Sequence, residues 1–365
     1  MGKSRKWHLR ERFNIIDPTS DSPLWMVTTE PVLNELVMRL QRLQYELMED
    51  PTVHQELQFS RTRLEAAREA FSNMIRNGEK KLHRLCELLC ETLLTAYLIE
   101  SVVIGEIDST GERFTIAQSI SADDLYANID IDLGTRQLDK LRFRHGNNWS
   151  GATLVANVVE YQPTEPNRYG VHRIVSRIKA EEEIWNKVLD EIFDLDRIVV
   201  RDKQLRHLSR YVKDVFGIKI VVGEIKDIYK MQNALVEFDW PEKTLRKLHI
   251  EPHETTRQLE FVEVKDYLAS GRRKLTGWEA IKSVVRWSDK TFEIQVQSLR
   301  SFLSERERLT KESHLSFKAN RERVREQVAQ QMPLFGFYRE LLRWLFLDTG
   351  LHPPVHKRVT LRLVD

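Results

Sequence analysis

Cysteine is scarce in this chain: its 365 residues include only Cys86 and Cys90. The two thiols are four residues apart in a strongly helical stretch, so they share one face of a helix. A structural zinc site needs four ligands, and a disulfide framework needs a larger set of cysteines at wider spacing. We therefore expect two buried thiols in a protein of a reducing compartment.

Long apolar runs are also missing. None reaches the roughly 18 residues that a membrane helix requires, and the N-terminus lacks the apolar region of a secretory signal. The formal net charge is only +2, which gives no argument for bulk nucleic-acid binding. With 41% hydrophobic and 31% charged residues, the composition is typical of a globular protein. We expect a cytoplasmic protein without a membrane partner.

The first part of the chain is predicted to be mainly helical. Apolar residues recur at helical spacing from Pro31, and further helices are predicted over Val53–Met74 and from Lys80 to Glu100, with Asn77-Gly78 as the break between them. Alternating apolar runs around a turn at Asp108–Glu112 predict a hairpin. We expect residues 121–165, with their acidic clusters, to form solvated loops.

The second part mixes helices and strands. A helix is predicted over Ala180–Phe193. Strands are predicted at Ile218–Gly223, Ala234–Trp240, Gln258–Val264, Ala280–Trp287 and Thr291–Ser298. A long charged helix after Ser301, a second helix over Leu334–Leu347 and a final edge strand from Val359 complete the pattern. The fold class is α+β, with a mixed sheet of about five strands flanked by helices.

Three polar residues alternate on the last predicted strand of this sheet. Glu293, Gln295 and Gln297 have period two, so their side chains point to one face, while Ile294 and Val296 point to the other. A carboxylate beside a buried strand is a plausible metal ligand. A polar strand face is also commonly just solvated, and both interpretations stay open at this point.

A basic loop and an aromatic residue precede that strand. Arg272, Arg273 and Lys274 are followed by Gly277 and Trp278. Cations in a glycine-flanked loop suit a phosphate, and an exposed ring suits a flat base that stacks on it. Ordinary core packing of Trp278 is the alternative.

A second group of cations surrounds the start of the helix predicted at Ala180. Arg177 and Lys179 lie just ahead of it, and Lys187 lies two turns inside. Helix N-termini favour anions, so these cations suit a polyphosphate. The alternative is a solvated basic surface on which Lys187 pairs with Glu183.

These segments together resemble the synthetase domain of the RelA/SpoT family, which makes (p)ppGpp. The family's Arg-x-Lys and later Lys correspond to Arg177, Lys179 and Lys187, and its Asp-x-x-Gly corresponds to Asp214 and Gly217. Its Asp-Tyr, Gly-Tyr and Glu-x-Gln patterns are similar to Asp266-Tyr267, Gly277-Trp278 and Glu293-Ile294-Gln295. The resemblance extends from Arg173 to Lys318.

The resemblance implies a nucleotidyltransferase-like fold and a pyrophosphate transfer from ATP to GDP or GTP. Asp214 and Glu293 would be the catalytic and Mg²⁺-binding carboxylates, and Arg177, Lys179 and Lys187 would hold ATP. The acceptor nucleotide would contact five further side chains: Lys274, Trp278, Lys282, Gln295 and Gln297.

Three positions depart from the family pattern: Lys282 replaces a His, Gln297 an Arg and Trp278 a Tyr. They leave two alternatives open. One is a toxin-like relative that modifies tRNA 3′ ends, with Arg206, Arg210, Arg272 and Arg273 as candidate RNA contacts. The other is a catalytically decayed nucleotide-binding or scaffold relative. None of the eleven histidines is followed by Asp, so the family's hydrolase is not expected.

We expect four regions. Residues 1–28 form a flexible lead, and residues 29–165 form an accessory module through which two copies could associate. Residues 166–320 form the synthetase-like domain, and residues 321–365 form a C-terminal helical extension.

Overall fold

The computed structural model describes residues 21–50, 52–127, 138, 140–195, 211–269, 278–310, 313–347 and 352–364. The chain divides into two compact units. The sheet unit comprises Arg76–Ile178 and Phe216–His314. The helical unit comprises the described residues before Arg76, together with Lys179–Val215 and Leu315–Asp365. No described helix is long and apolar enough to cross a bilayer.

Helices and strands alternate along the described chain. The helices are α1 Pro31–Glu49, α2 Arg61–Leu93, α3 Ala122–Ala127, α4 Glu181–Ile192, α5 Ile225–Glu237, α6 Glu242–Lys247, α7 Glu254–Arg257, α8 Leu299–Thr310, α9 Ser313–Gln331 and α10 Pro333–Phe346. The strands are β1 Gln55–Ser60, β2 Tyr97–Ile107, β3 Arg113–Ile120, β4 Phe143–His145, β5 Asn148–Ser150, β6 Ala152–Pro163, β7 Val171–Ile178, β8 Phe216–Val222, β9 Glu260–Asp266, β10 Ala280–Trp287, β11 Lys290–Ser298 and β12 Val359–Val364.

An eight-stranded sheet forms the centre of the sheet unit. Its order is β3-β2-β6-β7-β8-β11-β10-β9. Strands β8 and β11 pair in parallel, and the other neighbours are antiparallel. The α+β prediction is confirmed, but the sheet is wider than the expected five strands. β2, β3, β6 and β7 extend it, and β6 pairs with β7 across the boundary expected after residue 165.

The two faces of this sheet differ in chemistry. One face carries buried apolar residues such as Ile218 and Ile294, and α5 is fixed there because Gln232 Nε2 donates to Ser283 Oγ over 3.0 Å. The opposite face, which we call the polar face, carries Glu293 and Gln295 of β11 with the side chains aligned beside them on β7, β8 and β10.

The helical unit packs α1, α4, α9 and α10 around aromatic residues. Trp185 of α4 stacks on Phe346, with 3.8 Å between the ring centroids. Tyr338 of α10 donates its hydroxyl to the carbonyl oxygen of Leu40 over 2.7 Å. The predicted last strand is confirmed as β12, which pairs in parallel with β1.

Several local predictions are wrong. The strand predicted at Ala234–Trp240 does not form: its first four residues complete α5, because Ile228, Met231 and Leu235 bury one helical face, and the helix ends at Glu237. Residues 121–165 include the twelve-residue strand β6 rather than loops alone. The helix predicted from Val53 begins only at Arg61, because Gln55–Ser60 form β1, whose partner strand lies near the other end of the sequence.

Gly78 does not break the chain into two helices. α2 continues through it to Leu93, and two thiols on this helix, Cys86 and Cys90, are free and buried as expected. A Cβ atom built on Gly78 would lie 1.9 Å from Cζ of Phe216. The glycine is thus explained by the close approach of an aromatic ring rather than by a turn.

We expect Gly78→Ala to lower the free energy of unfolding by about 1–3 kcal/mol, because overpacking against Phe216 outweighs the roughly 1 kcal/mol gain in helix propensity. Urea denaturation measures the change. The matched control is Gly336→Ala in α10, where the added Cβ would lie 3.5 Å from Cβ of Ala329. That variant should be as stable as the parent chain or more stable. Equal changes in the two variants would contradict the explanation of Gly78 by close packing against Phe216.

Candidate functional site

Glu293 lies in the middle of β11 and is fully buried. Its neighbours on the same strand, Gln295 and Gln297, are buried as well, so the interpretation of a solvated strand face is wrong. A buried carboxylate is costly unless cations and hydrogen-bond donors surround it. The polar face provides such partners from three strands.

Both carboxylate oxygens of Glu293 have such partners. Lys282 Nζ of β10 forms an ion pair with Oε2. Gln295 Nε2 donates to Oε1, and Nη2 of Arg177 on β7 lies 3.8 Å from the same oxygen. Three residues that the sequence assigned to two different nucleotides therefore surround one carboxylate.

Gly217 explains how Arg177 extends past an intervening strand. The pairing register aligns Arg177 of β7 with Gly217 of β8, and Gly217 with Glu293 of β11. A Cβ atom on Gly217 would lie 3.2 Å from Nε of Arg177 and 3.3 Å from its Cγ. The absence of a side chain at Gly217 leaves the space that the arginine occupies.

Helix α8 contributes a residue that the sequence analysis did not single out. Glu305 accepts a hydrogen bond from Lys219 Nζ over 2.7 Å and one from Gln297 Nε2 over 3.5 Å. Burial lowers the pKa of Lys219, against the opposing charge of Glu305. Burial opposes ionisation of Glu305, but Lys219 and Arg177 outweigh it and lower the pKa of that carboxyl. Lys219 lies two residues after Gly217 on β8, so strand alternation places both on the polar face. This alternation is the sequence signal that could have identified Lys219.

Trp278 is half-buried and lies two residues before β10. Its ring contacts that of Tyr267 edge-on, with 5.2 Å between the centroids. Part of the ring is therefore used in packing, and part remains accessible. Lys274 and the neighbouring Arg272 and Arg273 lie outside the described residues, as do Arg206 and Arg210.

The other predicted carboxylate, Asp214, lies in the helical unit between two lysines. Lys179 Nζ donates to Oδ2 over 2.7 Å, and Lys187 Nζ donates to Oδ1 over 2.6 Å and to Oδ2 over 2.5 Å. Lys187 thus pairs with Asp214 and not with Glu183. The two lysines of the expected cation cluster are held together by this one carboxylate.

Helix α4 presents Lys187 from a fixed position. The helix is anchored by its buried residues, which include Ile184, Trp185 and Val188. At its C-terminal end, Asp190 accepts two hydrogen bonds from the Arg325 guanidinium, over 3.2 and 2.9 Å. A paired guanidinium and carboxylate in this bidentate form restrict rotation of the helix.

The predicted residues therefore form two clusters, one in each unit. Arg177, Lys282 and Gln295 surround Glu293, whereas Lys179 and Lys187 surround Asp214. Among the described residues, no group of three or more His, Cys, Asp or Glu side chains could hold a metal ion. Carboxylate oxygens are the ligands that Mg²⁺ prefers. Here, however, ammonium groups contact them, so neither cluster as it stands fits a bare divalent cation.

Comparison with known proteins gives a structural likeness. No protein-family model and no curated protein matches the chain. Two structures of the small alarmone synthetase 1 from Bacillus subtilis, one of them bound to its product pppGpp, are structurally similar to 44% of this chain. The match covers 80% and 82% of those chains, at 16% sequence identity and TM-scores of 0.25 and 0.23. The chain is thus similar to a RelA/SpoT-type synthetase, and a likeness of this extent carries no argument about its site or its activity.

Proposed function

We propose that the chain transfers pyrophosphate from ATP to the 3′-hydroxyl of GDP or GTP and so produces (p)ppGpp. The main support is the buried carboxylate of Glu293 among cations, because a carboxylate held beside positive charge suits proton transfer next to a phosphorylated substrate. The ordered motifs from Arg173 to Lys318 point to the same reaction. A nucleotidyltransferase-like arrangement of the sheet is part of this proposal.

In the sheet unit, Glu293 accepts the proton of the acceptor's 3′-hydroxyl. The 3′ oxygen of the acceptor then carries the negative charge, and Lys282 and Arg177, which contact Glu293, are the cations nearest to it. Trp278 offers the exposed part of its ring to the guanine base, and Gln295 orients Glu293 by its hydrogen bond. Lys274 and Gln297 stay candidate acceptor contacts.

In the helical unit, Lys179 and Lys187 bind the ATP phosphates. Asp214 holds both ammonium groups at hydrogen-bond distance, so they are already directed to one point. Phosphate oxygens compete with the carboxylate for them, since both are strong acceptors for lysine. Fixing the donor nucleotide in this way supplies the positioning on which phosphoryl transfer depends.

Magnesium is proposed to arrive with the nucleotide rather than to occupy a preformed protein site. When bound, it neutralises the phosphate charge. Asp214 and Glu293 are the carboxylates proposed as its ligands. Each becomes available only after its lysine contacts have been exchanged for other partners.

A nucleotide-binding relative without transferase activity is the second candidate. The contact of Lys282 with Glu293 favours it, because an ammonium group there supplies a fixed positive charge next to the proposed metal ligand. The tRNA-modifying alternative and the association of two copies stay predictions.

We expect Glu293→Gln to reduce transfer of label from β,γ-labelled ATP to GDP or GTP by at least about 100-fold, because the proposed proton acceptor is lost. Thin-layer chromatography with Mg²⁺ and with GDP, GTP or bulk tRNA as separate acceptors measures it. The control is Glu160→Gln. Glu160 is equally buried in the same sheet, where Arg173 and Arg306 pair with it.

Both substitutions should lower the free energy of unfolding by a similar amount, about 1–3 kcal/mol, since each leaves partly exposed cations without their acid. Only Glu293→Gln should abolish transfer. Label on tRNA alone would replace the proposal by the tRNA-modifying alternative. Nucleotide binding without transfer in the unsubstituted chain would favour the second candidate.

We expect Lys282→Met to strengthen Mn²⁺ binding to the nucleotide-free protein by about tenfold or more, because the substitution removes a positive charge that contacts Glu293. Electron paramagnetic resonance of free Mn²⁺ measures the affinity. Lys265→Met is the matched control, since Lys265 lies opposite Lys282 on β9 and its Nζ is 3.0 Å from Glu263 instead. Unchanged Mn²⁺ affinity in the Lys282 variant would show that this ammonium group does not exclude the metal.

A further inference from the structure

A groove of about 390 Å³ opens in the helical unit between α1 and the start of α2. Three arginines line it: Arg39 and Arg42 from α1, and Arg63 from the first turn of α2. Glu35 is the one acidic residue of its lining, so the groove has an excess of positive charge. Its size lies at the lower end of the range for small-molecule sites, about 300–1,000 Å³.

The three arginines are exposed, and their charges are not compensated. Within the part of the chain that the structure describes, no carboxylate forms an ion pair with Arg39, Arg42 or Arg63. This differs from the two clusters described above, where each of the lysines contacts an acid. Three guanidinium groups with only Glu35 beside them leave the groove with a net positive charge, which a bound anion would neutralise.

The start of α2 adds to the positive potential. This 33-residue helix has no acidic residue in its first turn, and it begins with Arg61 and Arg63. The backbone N–H of Arg63 donates to Ser60 Oγ over 3.3 Å. Cations at a helix N-terminus are unfavourable because the helix dipole is positive there. The sequence thus keeps arginines at a position that costs helix stability.

Apolar residues form the floor of the groove. Leu36 is half-buried, and Phe59 is buried with its ring in edge contact with Trp344, 6.4 Å between the centroids. Phe59 belongs to β1, whose pairing with β12 holds it in place. A fixed apolar floor below guanidinium groups suits a ligand with an apolar or flat part and a charged part.

We propose that this groove binds a soluble organic phosphate with at least two negative charges. Its phosphate oxygens accept hydrogen bonds from Arg39, Arg42 and Arg63, and its apolar part lies on the half-buried Val32 and Leu36. Each guanidinium group can donate two parallel hydrogen bonds to the oxygens of one phosphate. Three such groups are therefore sufficient to bind a diphosphate. Glu35 accepts a hydrogen bond from a hydroxyl or amino group of the ligand. The site is independent of the proposed transfer reaction.

Calorimetric titration of the full chain with ATP and with inorganic pyrophosphate tests this proposal. We expect the double variant Arg39→Gln/Arg63→Gln to bind one equivalent of ATP fewer than the parent chain, or to bind it at least tenfold more weakly at that site. Arg323→Gln is the matched control, because Arg323 is an exposed arginine on α9 of the same unit, outside the groove. ATP should bind the groove more tightly than pyrophosphate, since only ATP covers the apolar floor.

The thermal midpoint separates loss of the ligand from loss of the fold. Arg63→Gln removes a cation from the start of α2, so the midpoint without ligand should stay the same or rise while binding is lost. If the double variant is less stable than the parent chain, Arg39→Gln alone repeats the test, because Arg39 lies inside α1 and not at a helix start.

Three outcomes would overturn the proposal. The first is an unchanged number and affinity of ATP sites in the groove variants. The second is a loss of ATP binding in Arg323→Gln as large as that in the groove variants. The third is arginine-dependent sedimentation with vesicles of phosphatidylcholine and phosphatidylinositol 4-phosphate without binding of ATP or pyrophosphate, which would assign a lipid headgroup. If the parent chain binds one equivalent and the groove variant none, the groove stands and the ATP site of the proposed transferase fails.

Discussion

The buried carboxylate of Glu293 is the group on which the arrangement of the sheet unit depends. Removing an isolated carboxylate from water costs several kcal/mol, so β11 can bury Glu293 only where neighbouring strands bring compensating groups. Lys282 comes from β10 and Arg177 from β7, and Gln295 completes the set from β11 itself. A slip of one residue in any of these pairings would turn one partner to the apolar face. The charge therefore fixes strand register, and Gly217 provides the space that the fixed register requires.

Much of this could be predicted from the sequence where the signal is local. Strand β10 has the predicted bounds because Ala280–Trp287 is rich in β-branched residues and a turn follows it. The α4 cations were identified from their spacing. The pairing of β1 with β12 could not be predicted, since the partners lie at opposite ends of the sequence. The burial of Gln297 could not be predicted either, because its hydrogen-bond partner Glu305 belongs to a later helix. A polar residue on a strand shows its burial only when the element that covers it is known.

Both proposed catalytic carboxylates contact lysines, and this has a thermodynamic consequence. A phosphate that binds Lys187 must replace an existing charge-assisted hydrogen bond, so its net gain is smaller than that for a free ammonium group. The same replacement releases the carboxylate of Asp214. In the proposed reaction, nucleotide binding and release of this carboxylate would therefore be one equilibrium in the helical unit, and each would favour the other. Such coupling keeps the acid neutralised whenever substrate is absent.

Although the net charge of the chain is near zero, its cations differ in whether an acidic side chain pairs with them. Lys179 and Lys187 contact an acid, whereas Arg39, Arg42 and Arg63 face the solvent. An anion in the groove therefore competes with water and dissolved ions alone. Its affinity should fall steeply with salt, because exposed charges are screened within about 10 Å at 0.1 M ionic strength. The proposed phosphate contacts of Lys179 and Lys187 should depend less on salt, since a bound phosphate would replace an acid that salt already screens to a similar degree. The two proposed phosphate sites therefore differ in the local pairing of their cations, which the total charge of the chain does not show.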